Sequence, residues 1–88
     1  MKILVVDDEP LARERLLRLL ARVRPEAHCL QAADGETALE VVESEQPDLL
    51  LLDIRMPGKD GIDVAAALER RPEPPAVVFC TAYDEYAL

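Results

Sequence analysis

Acidic residues stand directly after two separate apolar runs of this sequence. Asp7 and Asp8 follow residues 3–6, Asp53 follows residues 49–52, and a hydroxyl residue, Thr81, follows a third run at 76–80. If these runs are parallel strands, their carboxyl ends meet at one edge of a sheet, where ligands of α/β proteins bind. Two carboxylates about 4 Å apart repel by about 4 kcal/mol at intermediate dielectric, so such a cluster must be neutralised.

A divalent cation is the neutralising group that best suits this cluster. Protonation is the other route, but carboxylate oxygens suit a hard dication such as Mg²⁺ or Mn²⁺, which keeps positions open for water and phosphate oxygens. An Asp beside such a cation can attack phosphorus and form an aspartyl-phosphate. The sequence therefore predicts a metal and phosphoryl site, to which Thr81 would supply a hydroxyl.

Helix capping is the alternative interpretation of the same residues. Asp-Asp-Glu-Pro is a typical helix start, because carboxylates favour helix N-termini and Pro favours the first turn. One acid would be explained that way. A second acid after an independent strand, with a hydroxyl after a third, favours the metal and phosphoryl site, although for Thr81 alone a cap at the strand end is an equal alternative.

Apolar runs and amphipathic segments alternate along the chain. Strands are predicted at 3–6, 49–52 and 76–80, where the runs are apolar throughout, as buried parallel strands are, and a weaker strand is predicted at 27–32. Between them lie three amphipathic helices, whose apolar residues are Ala12, Leu16, Leu19, Leu20 and Val23, then Ala38, Val41 and Val42, then Val64, Ala65 and Leu68. This order predicts one α/β domain, a doubly wound parallel sheet with right-handed crossovers.

The net charge of −8 argues against nucleic acid or an anionic membrane as a direct partner. Five arginines between residues 13 and 24 form either a docking face or a solvated helix surface. No apolar run approaches the roughly 20 residues of a membrane span, and no signal peptide is recognisable, so a cytoplasmic location is expected. Cys29 and Cys80 are interpreted as reduced core residues, because cytosolic disulfides are rare.

Three stretches of the sequence resemble the receiver domain of two-component response regulators, and more closely the LytTR-type regulators of the alginate-regulator kind. They are residues 3–16 (ILVVDDEPLARERL), 50–61 (LLLDIRMPGKDG) and 77–88 (VVFCTAYDEYAL), in the family's own order. The resemblance implies a flavodoxin-like (CheY-like) fold with strand order 2-1-3-4-5. That order would place the strands of Cys29 and Cys80 about 14 Å apart, beyond disulfide reach.

The resemblance also implies roles for individual residues. Asp53 matches the phosphoacceptor, and Asp7 and Asp8 match the acid pair that holds Mg²⁺, with Asp8 as the direct ligand. The backbone carbonyl of Arg55 would complete the metal shell, while its side chain faces solvent. Thr81 would be the switch hydroxyl that moves toward the phosphate.

The family's receivers continue into a fifth strand, which ends in a lysine that pairs with the phosphate, and a fifth helix. Neither element is present, and neither Lys2 nor Lys59 matches that lysine. We therefore expect residues 1–88 to be the N-terminal part of a single receiver domain and, alone, a poor phosphoacceptor. The fourth strand would be an exposed apolar edge that favours a homodimer or a domain-swapped dimer; alternatively, these residues are the ordered part of a longer chain.

The expected function is signal reception without enzyme activity beyond self-phosphorylation and dephosphorylation. A histidine kinase would phosphorylate Asp53 and so control an output domain, DNA-binding in this family, outside this sequence. One rival is a non-catalytic interaction module with a receiver-like fold. Another is a phosphatase of the haloacid dehalogenase type, but those enzymes need an Asp-x-Asp arrangement, and here the acids are adjacent.

Overall fold

The computed structural model describes residues 1–80, in which strands and helices alternate. The strands are β1 (Lys2–Val6), β2 (His28–Ala32), β3 (Leu49–Asp53) and β4 (Ala76–Cys80), and the helices are α1 (Pro10–Val23), α2 (Gly35–Glu45) and α3 (Gly61–Glu69). Thr81 lies outside the described residues.

All four strands are parallel, in the order β2-β1-β3-β4. The doubly wound sheet and the order of its first four strands are thus confirmed. The predicted strand bounds hold within a residue: β1 and β2 begin at Lys2 and His28, and β3 includes Asp53 itself. Because Val6 lies opposite both Ala32 and Leu52, the carboxyl ends of β2, β1 and β3 are level with one another.

The main hydrophobic core lies between one face of the sheet and the helices α2 and α3. Alternate strand residues point into it because successive side chains of a strand face opposite sides. Its buried members are Leu4, Val6, Ala32, Ala38, Val42, Leu50, Leu52, Met56, Val64 and Leu68. The ends of β1 and β3 are thereby anchored in the best-packed part of the molecule.

Helix α1 covers the opposite face of the sheet over β1 and β2. Ile3 and Val5 on that face are buried, yet no residue of α1 itself is buried. The predicted helix is confirmed, but two residues of its apolar stripe, Leu19 and Val23, are 53% and 62% exposed. The reason is that α1 spans two of the four strands, and within residues 1–80 no second helix lies beside it.

The two cysteines are free and lie on the outer strands of the described sheet, β2 and β4. Both are half-buried, so the prediction that they are core residues is wrong: each stands at the margin of the sheet, where one neighbouring strand is lacking among residues 1–80. No helix in the part of the chain that the structure describes is long and apolar enough to cross a membrane.

Candidate functional site

Three carboxylates meet at the carboxyl ends of β1 and β3. Asp7, Asp8 and Asp53 each present one oxygen, and these oxygens lie within 4.8 Å of one another. Asp7 and Asp53 are 7% and 6% exposed and are the buried charged residues of the described chain, whereas Asp8 is half-buried. At such separations each ionised pair repels by at least roughly 3.5 kcal/mol at an effective dielectric constant of about 20.

The end of β1 is held by backbone hydrogen bonds. The Asp7 amide donates to the carbonyl oxygen of Ala32 on β2 at 3.2 Å, which extends the β1–β2 pairing by one residue. The Glu9 amide donates to Asp7 Oδ1 at 2.9 Å and closes a tight turn into α1, which begins at Pro10. One carboxylate oxygen of Asp7 therefore accepts a hydrogen bond that stabilises this turn. The Asp8 side chain accepts no hydrogen bond from residues 1–80, so both of its oxygens are available to a ligand.

The end of β3 is held in a comparable way. The Arg55 amide donates to Asp53 Oδ1 at 3.3 Å, and the Gly61 amide at the start of α3 donates to the Ile54 carbonyl oxygen at 2.9 Å. A Cβ atom at Gly61 would lie 2.3 Å from the Asp53 carbonyl oxygen. Only glycine lets the helix approach β3 this closely, and the sequence alone gave Gly61 no role beyond the loop.

Burial raises the pKa of Asp53 from 3.8 to about 6, and the negative charges of Asp7 and Asp8 add to this effect. Hydrogen bonds from the backbone of Arg55 and Ile54 act in the opposite direction and only partly offset it. The ionised form of Asp53 is therefore poorly stabilised by the protein itself. A cation beside it would supply the missing stabilisation.

The donor set fits a hard divalent cation. All three groups are carboxylates, which Mg²⁺ and Mn²⁺ prefer, and together they carry more negative charge than one dication neutralises. Asp8 also lines an open cleft of about 550 Å³ with Ile54, Arg55, Met56, Pro57 and Asp60. The cleft offers room for a ligand next to the carboxylates, and Arg55, which is exposed as predicted, lies on its wall.

The structure thus brings together the three predicted acids and places Arg55 beside them. It also adds two residues that the sequence analysis did not assign to the site. Gly61 fixes the distance between α3 and β3, and Arg13 on α1 donates to the carbonyl oxygen of Asp7 at 2.9 Å. An arginine one turn into the helix after the acid pair was a possible signal, but its contacts depend on tertiary structure.

Curated proteins resemble the chain over its whole length. It is 57% identical over 90 residues to the positive alginate biosynthesis regulatory protein of Pseudomonas aeruginosa and 44% identical over 88 residues to the sensory transduction protein LytT of Bacillus subtilis. Each alignment covers 100% of this chain and 36% of the relative. The chain therefore spans about a third of the length of these relatives.

Solved structures agree with this likeness. The signal receiver domain of the putative response regulator NarL from Mycobacterium tuberculosis is 41% identical with a TM-score of 0.82, over 98% of this chain and 69% of that one. The MaeR response regulator bound to beryllium trifluoride is 26% identical with a TM-score of 0.86, over 94% of this chain and 68% of that one. The family description "response regulator receiver domain" matches residues 3–88. The chain therefore belongs to the family of response regulator receiver domains of two-component systems.

Proposed function

We propose that this receiver accepts a phosphoryl group on Asp53 from a histidine kinase, with Mg²⁺ or Mn²⁺ as cofactor. The observation that carries the proposal is the convergence of Asp7, Asp8 and Asp53 within 4.8 Å at the sheet edge, beside an open cleft. We assign Asp53 as the acceptor because it ends β3 at this edge of the sheet and matches the residue that accepts the phosphoryl group in receiver domains.

In the proposed reaction a carboxylate oxygen of Asp53 forms a bond to phosphorus. The bond between phosphorus and the kinase imidazole nitrogen breaks, and its electron pair leaves with the imidazole, which then takes up a proton. Asp8, Asp7, Asp53 and the backbone carbonyl of Arg55 would hold the cation. When bound, the cation offsets the negative charge on the carboxylates and on the phosphoryl oxygens.

The consequences of phosphorylation are proposed by likeness to the relatives. Thr81 follows β4 directly in the sequence, and we assign it the role of the switch hydroxyl that approaches the phosphoryl group. The relatives named above are regulatory and sensory-transduction proteins about three times as long as this chain. We propose that the receiver controls a DNA-binding output domain in the cytoplasm, and that residues 1–88 make no nucleic-acid contact of their own. Self-phosphorylation and dephosphorylation are its only chemistry.

Phosphorylation with a small-molecule donor tests the proposal. The protein is incubated with acetyl phosphate and Mg²⁺, and the covalent phosphoryl group is read by intact-mass spectrometry. We expect labelling that is weak for residues 1–88 alone and stronger for a chain that includes the fifth strand and its lysine; it should require the cation, be abolished by Asp53→Asn and be greatly reduced by Asp8→Asn. Glu40→Gln, which removes an exposed carboxylate on α2, is the matched control and should label like the parent. Undiminished labelling of Asp53→Asn would refute the assignment.

A second candidate function is an interaction module that does not use its acids. The observation in its favour is that Val78 and Phe79 of β4 are exposed and that β4 is an outer strand of the described sheet. Such an edge can pair with a second copy as a homodimer or domain-swapped dimer. Light scattering of the parent and of Phe79→Ser measures the dimer. If Asp8→Asn and Asp53→Asn leave both cation binding and regulation intact, this candidate replaces the first.

A further inference from the structure

Arg13 connects three elements around the acid pair. It lies one turn into α1, and its Nη1 donates to the carbonyl oxygen of Asp7 at 2.9 Å. Its Nε donates to Oε1 of Gln31 on β2 at 3.0 Å. One half-buried guanidinium thus ties α1 to the end of β1 and to the neighbouring strand.

The start of a helix is an unfavourable place for a cation, because the aligned peptide dipoles give this end a partial positive charge. Arg13 forms no ion pair with any carboxylate of residues 1–80 that would offset this effect. The N-cap residue Glu9 makes no side-chain cap, and the first turn of α1 contains no acid. Within residues 1–80, the Arg13 guanidinium is therefore stabilised by its two hydrogen bonds, to Asp7 and to Gln31. Hydrogen bonds from a charged donor are stronger than those between neutral groups.

The peptide group between Asp7 and Asp8 has its carbonyl oxygen fixed by Arg13. On either side of it, the Asp7 amide is bonded to Ala32 and the Glu9 amide to Asp7 Oδ1. The Asp8 side chain has no bond of its own within residues 1–80. The backbone before it therefore sets the direction of its Cα–Cβ bond, and among residues 1–80 Arg13 is the one side chain of another element that donates a hydrogen bond to that backbone.

We propose that Arg13 is a positioning residue for the cation site: it holds the Asp7–Asp8 peptide so that the Asp8 carboxylate points toward Asp53. This inference rests on the proposed function, since it concerns the same cation. Gln31 contributes by fixing the plane of the guanidinium. Arginine suits the role better than lysine because its planar fork presents two donors in fixed directions, whereas the lysine ammonium is a single compact charge.

Calorimetric titration of the purified protein with Mg²⁺ tests the inference, together with amide hydrogen exchange and thermal unfolding of the metal-free form. Loss of a group that orients a metal ligand weakens metal affinity by about 10-fold to 100-fold, so we expect at least about a 10-fold loss for Arg13→Gln. Arg13→Lys should recover part of it. In the metal-free protein the amides of Asp8 and Glu9 should exchange faster in Arg13→Gln.

Two further variants separate positioning from general stability. Arg15→Gln removes an exposed arginine of α1 that has no hydrogen bond or ion pair within residues 1–80, and it should bind Mg²⁺ like the parent. Gln31→Met removes only the acceptor of Nε, so it should weaken affinity by less than Arg13→Gln. Because Gln31 affects the site only through its hydrogen bond with Arg13, the double variant should lose little more affinity than Arg13→Gln alone. Gln31→Met also decides the matter if Arg13→Gln does not fold.

Mg²⁺ affinity in Arg13→Gln within about twofold of the parent would overturn the inference, because the expected loss is at least about 10-fold. A loss of affinity that Arg15→Gln shares would also overturn it. So would faster exchange spread evenly over the sheet, because that would indicate lost stability alone. Failure of the proposed function has a different signature: the parent itself would not bind Mg²⁺, or Asp8→Asn and Asp53→Asn would bind it as well as the parent.

Discussion

Replacing Asp53 with Asn should stabilise the metal-free protein at neutral and alkaline pH. The carboxyl group has a pKa of about 6 in the folded state against 3.8 as its ordinary value. The folded state therefore binds the proton of Asp53 more tightly than the unfolded state does, and stability is lost as the pH rises from 3.8 through about 6. At 1.36 kcal/mol for each pKa unit, the loss is at most about 3 kcal/mol. Asn keeps an acceptor for the Arg55 amide but carries no charge.

Urea unfolding in the presence of a chelator measures the effect. At about pH 8, Asp53→Asn should raise the free energy of unfolding by about 1 to 3 kcal/mol. Well below pH 3.8 the difference should vanish, because Asp53 is then protonated in both the folded and the unfolded state. Mg²⁺ at about 100 times its dissociation constant should stabilise the parent by about 2.7 kcal/mol at about pH 8 and should stabilise Asp53→Asn much less. Glu40→Gln serves as the control and should change stability by less than about 0.5 kcal/mol. If Asp53→Asn is no more stable than the parent at the higher pH, the desolvation argument is wrong.

Three other substitutions follow from the packing around the site. Gly61→Ala places a methyl group 2.3 Å from the Asp53 carbonyl oxygen, so α3 must shift; we expect a loss of several kcal/mol in urea unfolding, as for other overpacked sites, and slower labelling by acetyl phosphate. Leu50→Ala, at a fully buried residue of β3, should cost about 2 to 5 kcal/mol by the same measurement, and a loss below about 1 kcal/mol would contradict the burial of Leu50 in the core. Asp60→Ala removes the capping box that it forms with Asp63 at the start of α3, and should cost about 1 kcal/mol in thermal unfolding, without abolishing labelling of Asp53.

The sequence predicts the sheet well because β1 is buried on both faces, while β3 is buried on one face and half-buried on the other. Uninterrupted apolar runs are the pattern of buried parallel strands, and the carboxyl ends of parallel strands lie at the same edge of a sheet. That register brings the backbone of Asp7, Asp8 and Asp53 to the same edge of the sheet. The exposure of the apolar side chains of α1 could not be predicted in the same way. Spacing shows which residues of a helix share a face, but the exposure of Leu19 and Val23 depends on how many strands the helix covers.

The contacts that hold the site together were also beyond the sequence. Arg13 looked like one of several arginines on a solvated helix, because nothing in the local pattern reports that its guanidinium reaches the Asp7 carbonyl oxygen. Gly61 looked like a loop glycine, because the close approach of α3 to β3 involves residues that only the fold brings together. Residue types therefore predicted which groups could do chemistry, and tertiary packing determines how accurately they are held.

The burial of Asp53 also determines how proton and cation binding affect the stability of the folded protein: both relieve an unfavourable buried charge. Asp53 is the last residue of β3, and Leu50 and Leu52 of the same strand are fully buried. The backbone of Asp53 therefore cannot move toward water without disturbing the core. The folded protein therefore has two ways to relieve the charge: protonation, which is complete well below pH 6, or a dication, which needs the ionised form. In the proposed function, proton and cation would compete for the same oxygens, and phosphorylation would require the ionised state that the cation favours. A more exposed Asp at this position would destabilise the metal-free protein less. Its affinity for a cation would also be lower, because neutralising a solvated carboxylate relieves less unfavourable energy.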